Sequence, residues 1–400
     1  MSGARPDVIV VGAGPAGAAT AILLAEHGLH TLVLDRGGRP RPKICGEYLS
    51  PEAARVLDRL GVLKTVDAAG AVPLYGMRIT APDGTTLTAR YRTVGDFRPY
   101  REQAMGVSRA TLDGALVDRL RGLPVDLRDS VRVTDVVIER DAVVGVTACD
   151  RSGAVQTFRA PIIVAADGRA SIIAQRLGCR HPHRLARMAL VTYVSGLSDC
   201  RDLGEIYVDP PDYAILNPLA PGRINVSLVV PLADAARFSD RLEDFFVARV
   251  KQLPFLGRRL AQARREAPLQ AMGPLAYRVT APRQDGVLLV GDAAGFYDPF
   301  TGEGIYTALR AAELAAEAIV RAMNTSDGAG AASAAYRRAR RAAFADKERV
   351  TRALQLLIGH RWPATAAARW LATRPAALAA LLGVIGDFVP PRALGRALRG

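Results

Sequence analysis

The chain has 400 residues, of which 50% are hydrophobic, with 37 Gly and 25 Pro. This length and apolar content exclude a disordered chain and a single small domain, and they predict two packed units. The formal charge of +14 is concentrated near the end, because residues 331–400 carry +10 and the first 330 residues only +4.

The four cysteines, Cys45, Cys149, Cys179 and Cys200, form no CxxC pair or regular spacing. They predict neither a zinc site nor a disulfide framework, which is typical of a protein in the reducing cytoplasm. The apolar run at the N-terminus leads into glycines without a cleavage site, so we predict no signal peptide. The charge-free stretch 376–386 is far shorter than the roughly 20 residues of a transmembrane helix, and none is predicted.

The first predicted elements form a βαβ unit. Asp7–Val11 predicts a strand, Ala18–His27 a helix, and Thr31–Leu34 a second strand that ends at Asp35. The turn between the first strand and the helix has GxGxxG spacing, with Gly12, Gly14, Ala16 and Gly17. Such a turn brings backbone N–H groups and a helix N-terminus to a pyrophosphate, and the acid can bind ribose hydroxyls. The unit predicts a dinucleotide site without a 2′-phosphate and leaves NAD and FAD open.

Strand patterns predict a second unit. Residues 74–98 contain an alternating hairpin, and residues 186–275 alternate apolar and polar positions, so we expect one antiparallel sheet over the nucleotide site. Residues 236–265 predict helices in the same unit. A substrate pocket is expected where the two units join.

Two further strand ends carry polar motifs. The strand Ile162–Ala165 precedes Asp167 and Gly168, with Ser171 and Arg176 in the following helix. The strand before Gly291 and Asp292 precedes a loop and a helix from about Ile305, and the loop contains Pro299, Gly302 and Gly304. Taken alone, each motif is typical of a turn.

The ordered motifs GxGxxG, DGxxS and GDAAxxxxPxxGEG together resemble the FAD-dependent oxidoreductases of the geranylgeranyl reductase-like and aromatic hydroxylase (flavin monooxygenase) superfamily, over at least residues 7–320. The resemblance implies an α/β fold: a Rossmann-like FAD-binding domain of the glutathione reductase type, an inserted antiparallel β-sheet substrate domain and a helical C-terminal segment. The predicted boundaries are 1–72, 104–179 and 280–326 for the FAD-binding domain, 73–103 and 180–279 for the substrate domain, and 327–400 for the C-terminal helices. Since only one GxGxxG motif is present, no built-in NADPH domain is expected; NADPH or NADH is then a transient electron donor, or a separate reductant supplies the electrons.

The resemblance also implies site residues. Asp292 would bind the ribityl chain of FAD beside Gly291, while Pro299, Gly302 and Gly304 would line the isoalloxazine. Arg109 would lie by the cofactor phosphates or the flavin, and Asp167 and Gly168 would serve FAD and the nicotinamide donor.

The segment Lys43–Pro51 resembles the Cys-Gly-Glu arm of the reductase and halogenase branch. The resemblance implies that this arm lies near the flavin. Cys45 is then either a residue close to the flavin or a small apolar side chain that fills a gap.

The reaction expected is monooxygenation of an apolar phenolic or polyketide-like compound. The first alternative is saturation of isoprenoid double bonds, and the second is a non-catalytic flavin-binding protein. Prenyl reductases carry PxxYxWxFP where this chain has Pro210–Pro218, which keeps Tyr213 but has Ile215 and Asn217 at the aromatic positions. Tyr213 is the candidate substrate contact, and no catalytic acid, base or nucleophile is identified. Halogenation is disfavoured, because WxWxIP is absent and none of the four lysines, Lys43, Lys64, Lys251 and Lys347, is well placed.

At the end of the chain, the sequence predicts a linker at 324–335 and then helices that are interrupted by Pro363, Pro375, Pro390 and Pro391. Trp362 and Trp370 stand beside arginines, which is typical either of peripheral membrane contact or of a helical cap with tryptophan in its core. No nucleic-acid partner is predicted, because no binding motif accompanies the charge. His181 and His183 predict a surface loop rather than a metal site. The oligomeric state stays open.

Overall fold

The structure is a computed structural model that describes residues 5–37, 43–197, 199–220, 222–325 and 327–397. Five strands of this described part form a parallel sheet in the order β21-β12-β1-β2-β8. These strands are β1 (Val8–Val11), β2 (Thr31–Asp35), β8 (Asp126–Asp129), β12 (Ile162–Ala165) and β21 (Val287–Leu289). The three central strands are buried along their whole length, as β-branched runs are when both faces of a parallel sheet are covered.

Helices cover one face of the parallel sheet, and a small antiparallel sheet covers the other. The helices on or beside the first face are α1 (Pro15–Glu26), α2 (Pro51–Arg59), α3 (Leu63–Ala68), α4 (Arg109–Arg121) and α9 (Gly304–Asn324). The second face carries β9 (Arg132–Glu139), β10 (Ala142–Cys149), β11 (Val155–Arg159) and α5 (Ile172–Arg176). This is the Rossmann-like arrangement that the βαβ unit predicts.

A larger sheet forms beside this domain in the order β18-β14-β17-β16-β15-β5-β6, with β19 also paired to β14. Its strands are β5 (Gly76–Thr80), β6 (Thr86–Arg90), β14 (Arg187–Ser195), β15 (Leu203–Asp209), β16 (Asp212–Ala220), β17 (Arg223–Pro231), β18 (Arg264–Arg265) and β19 (Gln270–Met272). Helices α6 (Leu232–Ala236), α7 (Leu242–Gln252) and α8 (Pro254–Leu260) follow β17, with a 3₁₀ turn at Ser239–Arg241.

The expectation of a purely antiparallel sheet is wrong at one pair, because β5 and β15 run parallel. The chain leaves the sheet after β6, passes through the parallel-sheet domain and returns at β14. A connection of this length lets two strands pair in parallel, whereas a short hairpin loop does not.

Short strands join the two parts. One set is β3 (Tyr48–Leu49), β4 (Val72–Leu74) and β7 (Ala104–Gly106), and the other is β13 (Arg180–Pro182) with β20 (Tyr277–Val279). At Gly106 a Cβ atom would lie 1.8 Å from the carbonyl oxygen of Pro218, so β7 and β16 approach each other at backbone distance. The domain boundaries drawn from the sequence stay a prediction.

The predicted linker at 324–335 is wrong for most of its length, because α10 (Gly328–Ile358) begins inside it. Alanine is the strongest helix former, and the run of alanines with Ser333 propagates a helix instead of a flexible segment. The helix is held to β21, since Tyr336 donates a hydrogen bond to the carbonyl of Leu289 at 2.7 Å.

The chain ends in α11 (Arg361–Ala372), α12 (Pro375–Ile385) and α13 (Pro391–Ala397). Pro375 and Pro391 are the first residues of their helices and Pro363 lies in the first turn of α11, where proline is tolerated. Helices α11 and α12 pack on β6 as a cap, and α13 packs on α10 and α12. The expected tryptophan core is wrong for Trp362, which is 80% exposed. No single helix of the described residues meets the length and hydropathy needed to cross a membrane; α11 and α12 meet them only as a pair bent by 115°.

Candidate functional site

The glycine turn between β1 and α1 leaves no room for side chains. Gly12 has a φ of +96°, and a Cβ atom there would lie 2.5 Å from the carbonyl oxygen of Ala166. A Cβ atom on Gly17 would lie 1.8 Å from the carbonyl oxygen of Gly12. Helix α1 therefore begins directly on the turn, and the Gly14 N-cap leaves its first N–H groups without a side-chain acceptor. This is a bare backbone cradle at the positive end of a helix dipole.

Asp35, at the end of β2, closes this cradle. One carboxylate oxygen accepts the N–H of Ala13 at 2.8 Å, and the other accepts the N–H of Gly37 at 2.8 Å. The side chain is buried, so it orders the glycine turn whether or not a ligand is present. Its predicted contact with ribose hydroxyls stays a prediction.

Two cations share one carboxylate beside the glycine turn. Arg109, at the start of α4, binds both oxygens of Asp113 at 3.0 Å, and the ammonium of Lys43 lies 3.3 Å from the same carboxylate. A Cβ atom on Gly14 would lie 3.0 Å from Nζ of Lys43, so this lysine stands directly over the turn. Although burial opposes it, Asp113 raises the pKa of Arg109. Two fixed positive charges beside the bare backbone suit a pyrophosphate.

The DGxxS motif contributes an unpaired acceptor. Asp167 accepts the N–H of Ile172 through one oxygen at 2.8 Å, while its other oxygen is buried and has no hydrogen-bond partner among the described residues. Burial raises the pKa of Asp167. Ser171 caps α5 by accepting the N–H of Ala174. The motif thus stabilises the N-terminus of α5 and leaves one oxygen of Asp167 available to a ligand.

Arg169 occupies a variable position inside this motif and reaches across to the other domain. Its guanidinium donates to the carbonyl oxygens of Leu275 and Pro274 at 2.8 and 2.5 Å, and it lies over the rings of Tyr277 and Phe296. Burial lowers the pKa of Arg169. The sequence analysis did not identify this residue, because the DGxxS motif leaves its position unspecified.

Asp292 lies where these parts converge. Gly291, with a φ of +62°, brings the end of β21 so close to α1 that a Cβ atom on it would lie 2.9 Å from the Cβ of Ala16. Burial raises the pKa of Asp292, and the positive charges of Arg109, Arg169 and Lys43 oppose that rise. One acid therefore faces cations supplied by three separate segments.

The loop after Asp292 is held from both sides. A Cβ atom on Gly302, whose φ is +66°, would lie 2.7 Å from the ring of Tyr48. Asp298 is buried and accepts hydrogen bonds from the hydroxyl of Tyr213 at 2.5 Å and the amide of Gln355 at 2.6 Å. Tyr213, the predicted substrate contact, thus lies behind this loop, packed edge-on against Phe300.

Several buried polar atoms around this loop lack hydrogen-bond partners among the described residues. Nη1 of Arg187 and Oδ2 of Asp298 lie 4.0 Å apart, at the limit of an ion pair. Further examples are Oε1 of Gln355, Oγ1 of Thr301 and Oε2 of Glu303, which is held only in an ion pair. Burial raises the pKa of Asp298 to about 6. Buried polar atoms are normally satisfied, so a donor and an acceptor left open side by side indicate a place for a further polar atom.

The Cys-Gly-Glu arm is clamped between the two domains. Asn225 donates to the carbonyl of Cys45 at 2.9 Å, and Asn217 donates to the carbonyl of Gly46 at 2.8 Å. Glu47 accepts the N–H of Arg109 at 2.9 Å and the hydroxyl of Tyr193 at 3.0 Å. Asn217, which replaces an aromatic residue of the prenyl reductase pattern, therefore anchors the arm.

Cys45 itself is a neutral thiol. Its sulfur accepts the N–H of Glu47 at 3.3 Å, and burial raises its pKa despite the nearby charge of Arg109. All four cysteines are free. Among the residues that the structure describes, no group of three or more His, Cys, Asp or Glu side chains could hold a metal ion.

The predicted cofactor residues that follow the parallel strands β1, β2, β12 and β21 lie at one edge of the sheet, because the carboxyl ends of parallel strands lie together, and the remaining ones lie on α1, on α4 and in the loop before α9 or at the start of that helix. The full predicted set is Gly12, Gly14, Ala16, Gly17, Asp35, Arg109, Asp167, Gly168, Gly291, Asp292, Pro299, Gly302 and Gly304. Their individual contacts with a cofactor stay predictions. The bare glycine turn, the open oxygen of Asp167 and the cations around Asp292 fit a flavin dinucleotide.

A cavity of about 760 Å³ lies elsewhere, on the larger sheet between β5, β6, β15 and α8. Its lining includes Arg78, Tyr207, Phe255 and Arg258, and it contains none of the predicted site residues. This polar cavity is not the pocket that was expected where the two domains join.

Comparison with known proteins gives relatives that cover most of the chain. Menaquinone reductase of Mycolicibacterium smegmatis is 29% identical over 88% of this chain and 85% of its own length. Digeranylgeranylglycerophospholipid reductase 1 of Methanococcoides burtonii is 30% identical over 78% of this chain and 75% of its own. Conditioned medium factor receptor 1 of Dictyostelium discoideum is 27% identical over 80% of this chain, which spans 64% of that protein.

Two solved structures share the fold. The myxobacterial chondrochloren halogenase CndH is 26% identical, with a TM-score of 0.78 over 85% of this chain and 80% of its own. The flavin-dependent brominase Bmp2 superposes with a TM-score of 0.83 over 99% of this chain and 98% of its own, at 21% identity, which shows the fold alone. A family model described as an FAD binding domain matches residues 5–349. The chain belongs to this FAD-binding-domain family, and it is an FAD-dependent oxidoreductase.

Proposed function

We propose that this oxidoreductase is a monooxygenase that hydroxylates an apolar phenolic or polyketide-like compound, with NADPH or NADH as a transient electron donor. In the overall reaction one atom of dioxygen enters a ring C–H bond and the other leaves as water. The donor supplies a hydride, and solvent supplies one proton. FAD would supply the redox chemistry, carrying electrons from the donor to dioxygen.

The observation that carries this proposal is the open pair of Arg187 and Asp298. Their unpaired atoms are 4.0 Å apart, which is too long for a direct hydrogen bond but right for one oxygen atom bonded to both at about 2.8 Å. A phenolic hydroxyl could accept from the guanidinium and donate to the carboxylate. A purely hydrocarbon chain would leave both groups unsatisfied, at about 1–3 kcal/mol each.

The chemistry of this pair suits a phenol. With a pKa of about 6, Asp298 is ionised near neutral pH and can accept the phenolic proton. The positive charge of Arg187 stabilises the phenolate that results. An ionised phenol ring is more electron-rich, and it is therefore a better partner for an electrophilic oxygen.

The surroundings of the pair are apolar. Phe300, Ile215, Val191 and Val229 belong to the same buried cluster as Tyr213. Helix α10 closes the cluster on the outside, where Gln355 reaches Asp298.

Saturation of isoprenoid double bonds is the second candidate. It is favoured by the reductase relatives, whose printed names are a menaquinone reductase and a digeranylgeranylglycerophospholipid reductase. Here the donor hydride and one proton add across a C=C bond, and dioxygen takes no part. Against it, Ile215 and Asn217 replace aromatic residues of that pattern, and the Asn217 amide is committed to Gly46.

One experiment separates the candidates. Purified protein loaded with FAD is supplied with NADPH or NADH and challenged with long-chain phenols and with isoprenoid quinones, under isotopically labelled dioxygen and under anaerobic conditions. One labelled oxygen atom in a phenolic product supports the proposal. An anaerobic product that has gained two hydrogen atoms supports the reductase instead. A halogenated product formed with added bromide or chloride, or donor oxidation that no ligand changes, overturns both.

A further inference from the structure

Three large apolar side chains face solvent around the turn between α10 and α11. Leu356 is 73% exposed, Leu357 is 38% exposed and Trp362 is 80% exposed. They lie within seven residues of one another, whereas the other exposed large apolar side chains of the described chain are not clustered in sequence this way. We call Leu356, Leu357 and Trp362 the C-terminal corner. Large apolar side chains that are exposed close together in this way are typical of an interaction site.

The segment that contains the corner is rich in arginine. Residues 349–386 contain five arginines and no Asp or Glu. Four of these arginines, at 349, 352, 361 and 369, form ion pairs with acids outside this segment, and their side chains are 59–73% exposed. Exposed pairs of this type contribute at most about 1 kcal/mol, so lipid phosphates can compete for the guanidinium groups. The fifth, Arg374, stacks on Trp370 at 4.4 Å.

The corner also lies close to the loop between Asp292 and Gly304, which we call the flavin loop. On the inner side of α10, Thr351 donates to Glu303 at 3.0 Å and Gln355 donates to Asp298 at 2.6 Å. Leu356 and Leu357 follow Gln355 directly in the same helix. The apolar surface is thus separated from the loop by about one helix diameter, roughly 10 Å.

We propose that the C-terminal corner docks this protein on the surface of an anionic phospholipid bilayer. Tryptophan and leucine would enter the interface between headgroups and acyl chains, and the arginines around them would bind lipid phosphates. Docking in this orientation places the flavin loop next to the membrane, where an apolar substrate is concentrated. It would hold for either candidate reaction, because it depends on the surface alone.

The test is sedimentation of the full-length protein with lipid vesicles. We expect binding to vesicles of phosphatidylcholine mixed with phosphatidylglycerol and much weaker binding to phosphatidylcholine alone. L356E and W362E should each weaken binding by at least about tenfold, since each places a charge in the apolar interface. The matched control is V155E, because Val155 is 71% exposed on β11, outside the corner, and its substitution should leave binding unchanged.

A spectroscopic readout makes the result independent of sedimentation. In W370F the corner residue Trp362 is the sole tryptophan, because the chain has two. Its emission should shift to the blue on addition of the anionic vesicles and not with phosphatidylcholine alone. Absence of binding and of the shift, equal binding of L356E and V155E, or equal binding to neutral vesicles overturns the proposal. So does a dimer that L356E dissociates without any vesicle binding, because the corner would then contact a second copy.

Discussion

Lys347 of α10 lies 2.9 Å from a carboxylate oxygen of Glu303, in the GEG motif that opens α9. The same ammonium pairs with Asp387, in the turn after α12. All three side chains are largely buried, so one lysine ties the C-terminal helices to the loop that the resemblance places against the flavin. Although burial opposes it, the two carboxylates raise the pKa of Lys347. The C-terminal region is in this respect part of the site rather than an appendage.

Replacing Lys347 with methionine should therefore destabilise the protein strongly. Two buried carboxylates would lose their shared cation, and breaking a buried ion pair from one side costs about 3–5 kcal/mol. Chemical denaturation measures this loss. The matched control is Lys251→Met, because Lys251 is exposed on α7, and there the change should be within about 0.5 kcal/mol. Equal stability of the two variants would contradict the role of the buried pair.

The glycine turn can be tested with two substitutions of the same kind. Gly17→Ala should give protein with little or no bound FAD, since its Cβ atom would lie 1.8 Å from the carbonyl oxygen of Gly12. Gly114→Ala, within α4, meets nothing within 4 Å and should retain FAD, with up to about 1 kcal/mol of added helix stability. The flavin absorbance of the purified proteins is the measurement. A fully yellow Gly17→Ala protein would refute the assignment of the turn.

The sequence predicted the parts of the site that rest on local pattern. Gly12, Asp35 and Gly291 were found because each follows a short apolar strand, and parallel strands bring their carboxyl ends to one edge. The pair of Arg187 and Asp298 was not found, since β14 and the flavin loop are far apart in the chain and no spacing relates them. The start of α10 at Gly328 was missed for another reason. The glycines and serine of this segment suggested a linker, but its alanines favour a helix.

Lys43 shows the same limit of sequence-based prediction, although the segment that contains it was identified from the sequence. The segment Lys43–Pro51 was recognised for its cysteine and glycine, while its first residue was considered only as a halogenase lysine. Its position over Gly14 depends on Asp113, which lies 70 residues later and holds the ammonium. Contacts between side chains that are distant in the sequence and share no motif can be identified only from the three-dimensional structure.

The anchoring of the arm by Asn217 predicts a loss of FAD affinity on substitution. In Asn217→Leu the carbonyl of Gly46 loses its donor, which costs about 1–3 kcal/mol if the carbonyl stays buried. Because the arm loses this anchor, the FAD dissociation constant should rise by about tenfold, as measured by fluorescence titration. Ile215→Val, two residues earlier on the same strand face, removes apolar volume but no hydrogen bond to the arm. It should leave the FAD dissociation constant unchanged, and an equal rise in both variants would exclude a specific role for Asn217.

Asp298 predicts a pH dependence of stability with a defined sign. Its pKa is raised from the ordinary 3.8 to about 6, mainly by burial. Between these values the folded state binds a proton that the unfolded state does not, so the contribution of Asp298 to the free energy of unfolding grows as pH falls from about 6 to 4 and is lost as pH rises through 6. Relative to Asp298→Asn, the free energy of unfolding of the native protein should increase by about 1–3 kcal/mol as the pH falls through this window. Denaturation at a series of pH values measures the difference.

A second variant identifies Asp298 as the titrating group. The hydroxyl of Tyr213 donates to Asp298 and lowers its pKa, so Tyr213→Phe should move the midpoint of the stability difference to higher pH. The buried Asp387, whose pKa burial also raises to about 6, is present in all three proteins and cancels in the comparison. If substrate ionisation depends on Asp298, the acid limb of kcat/KM should share this midpoint, move with it in Tyr213→Phe and disappear in Asp298→Asn. A midpoint that is the same in the native protein and Tyr213→Phe would assign the titration to another group.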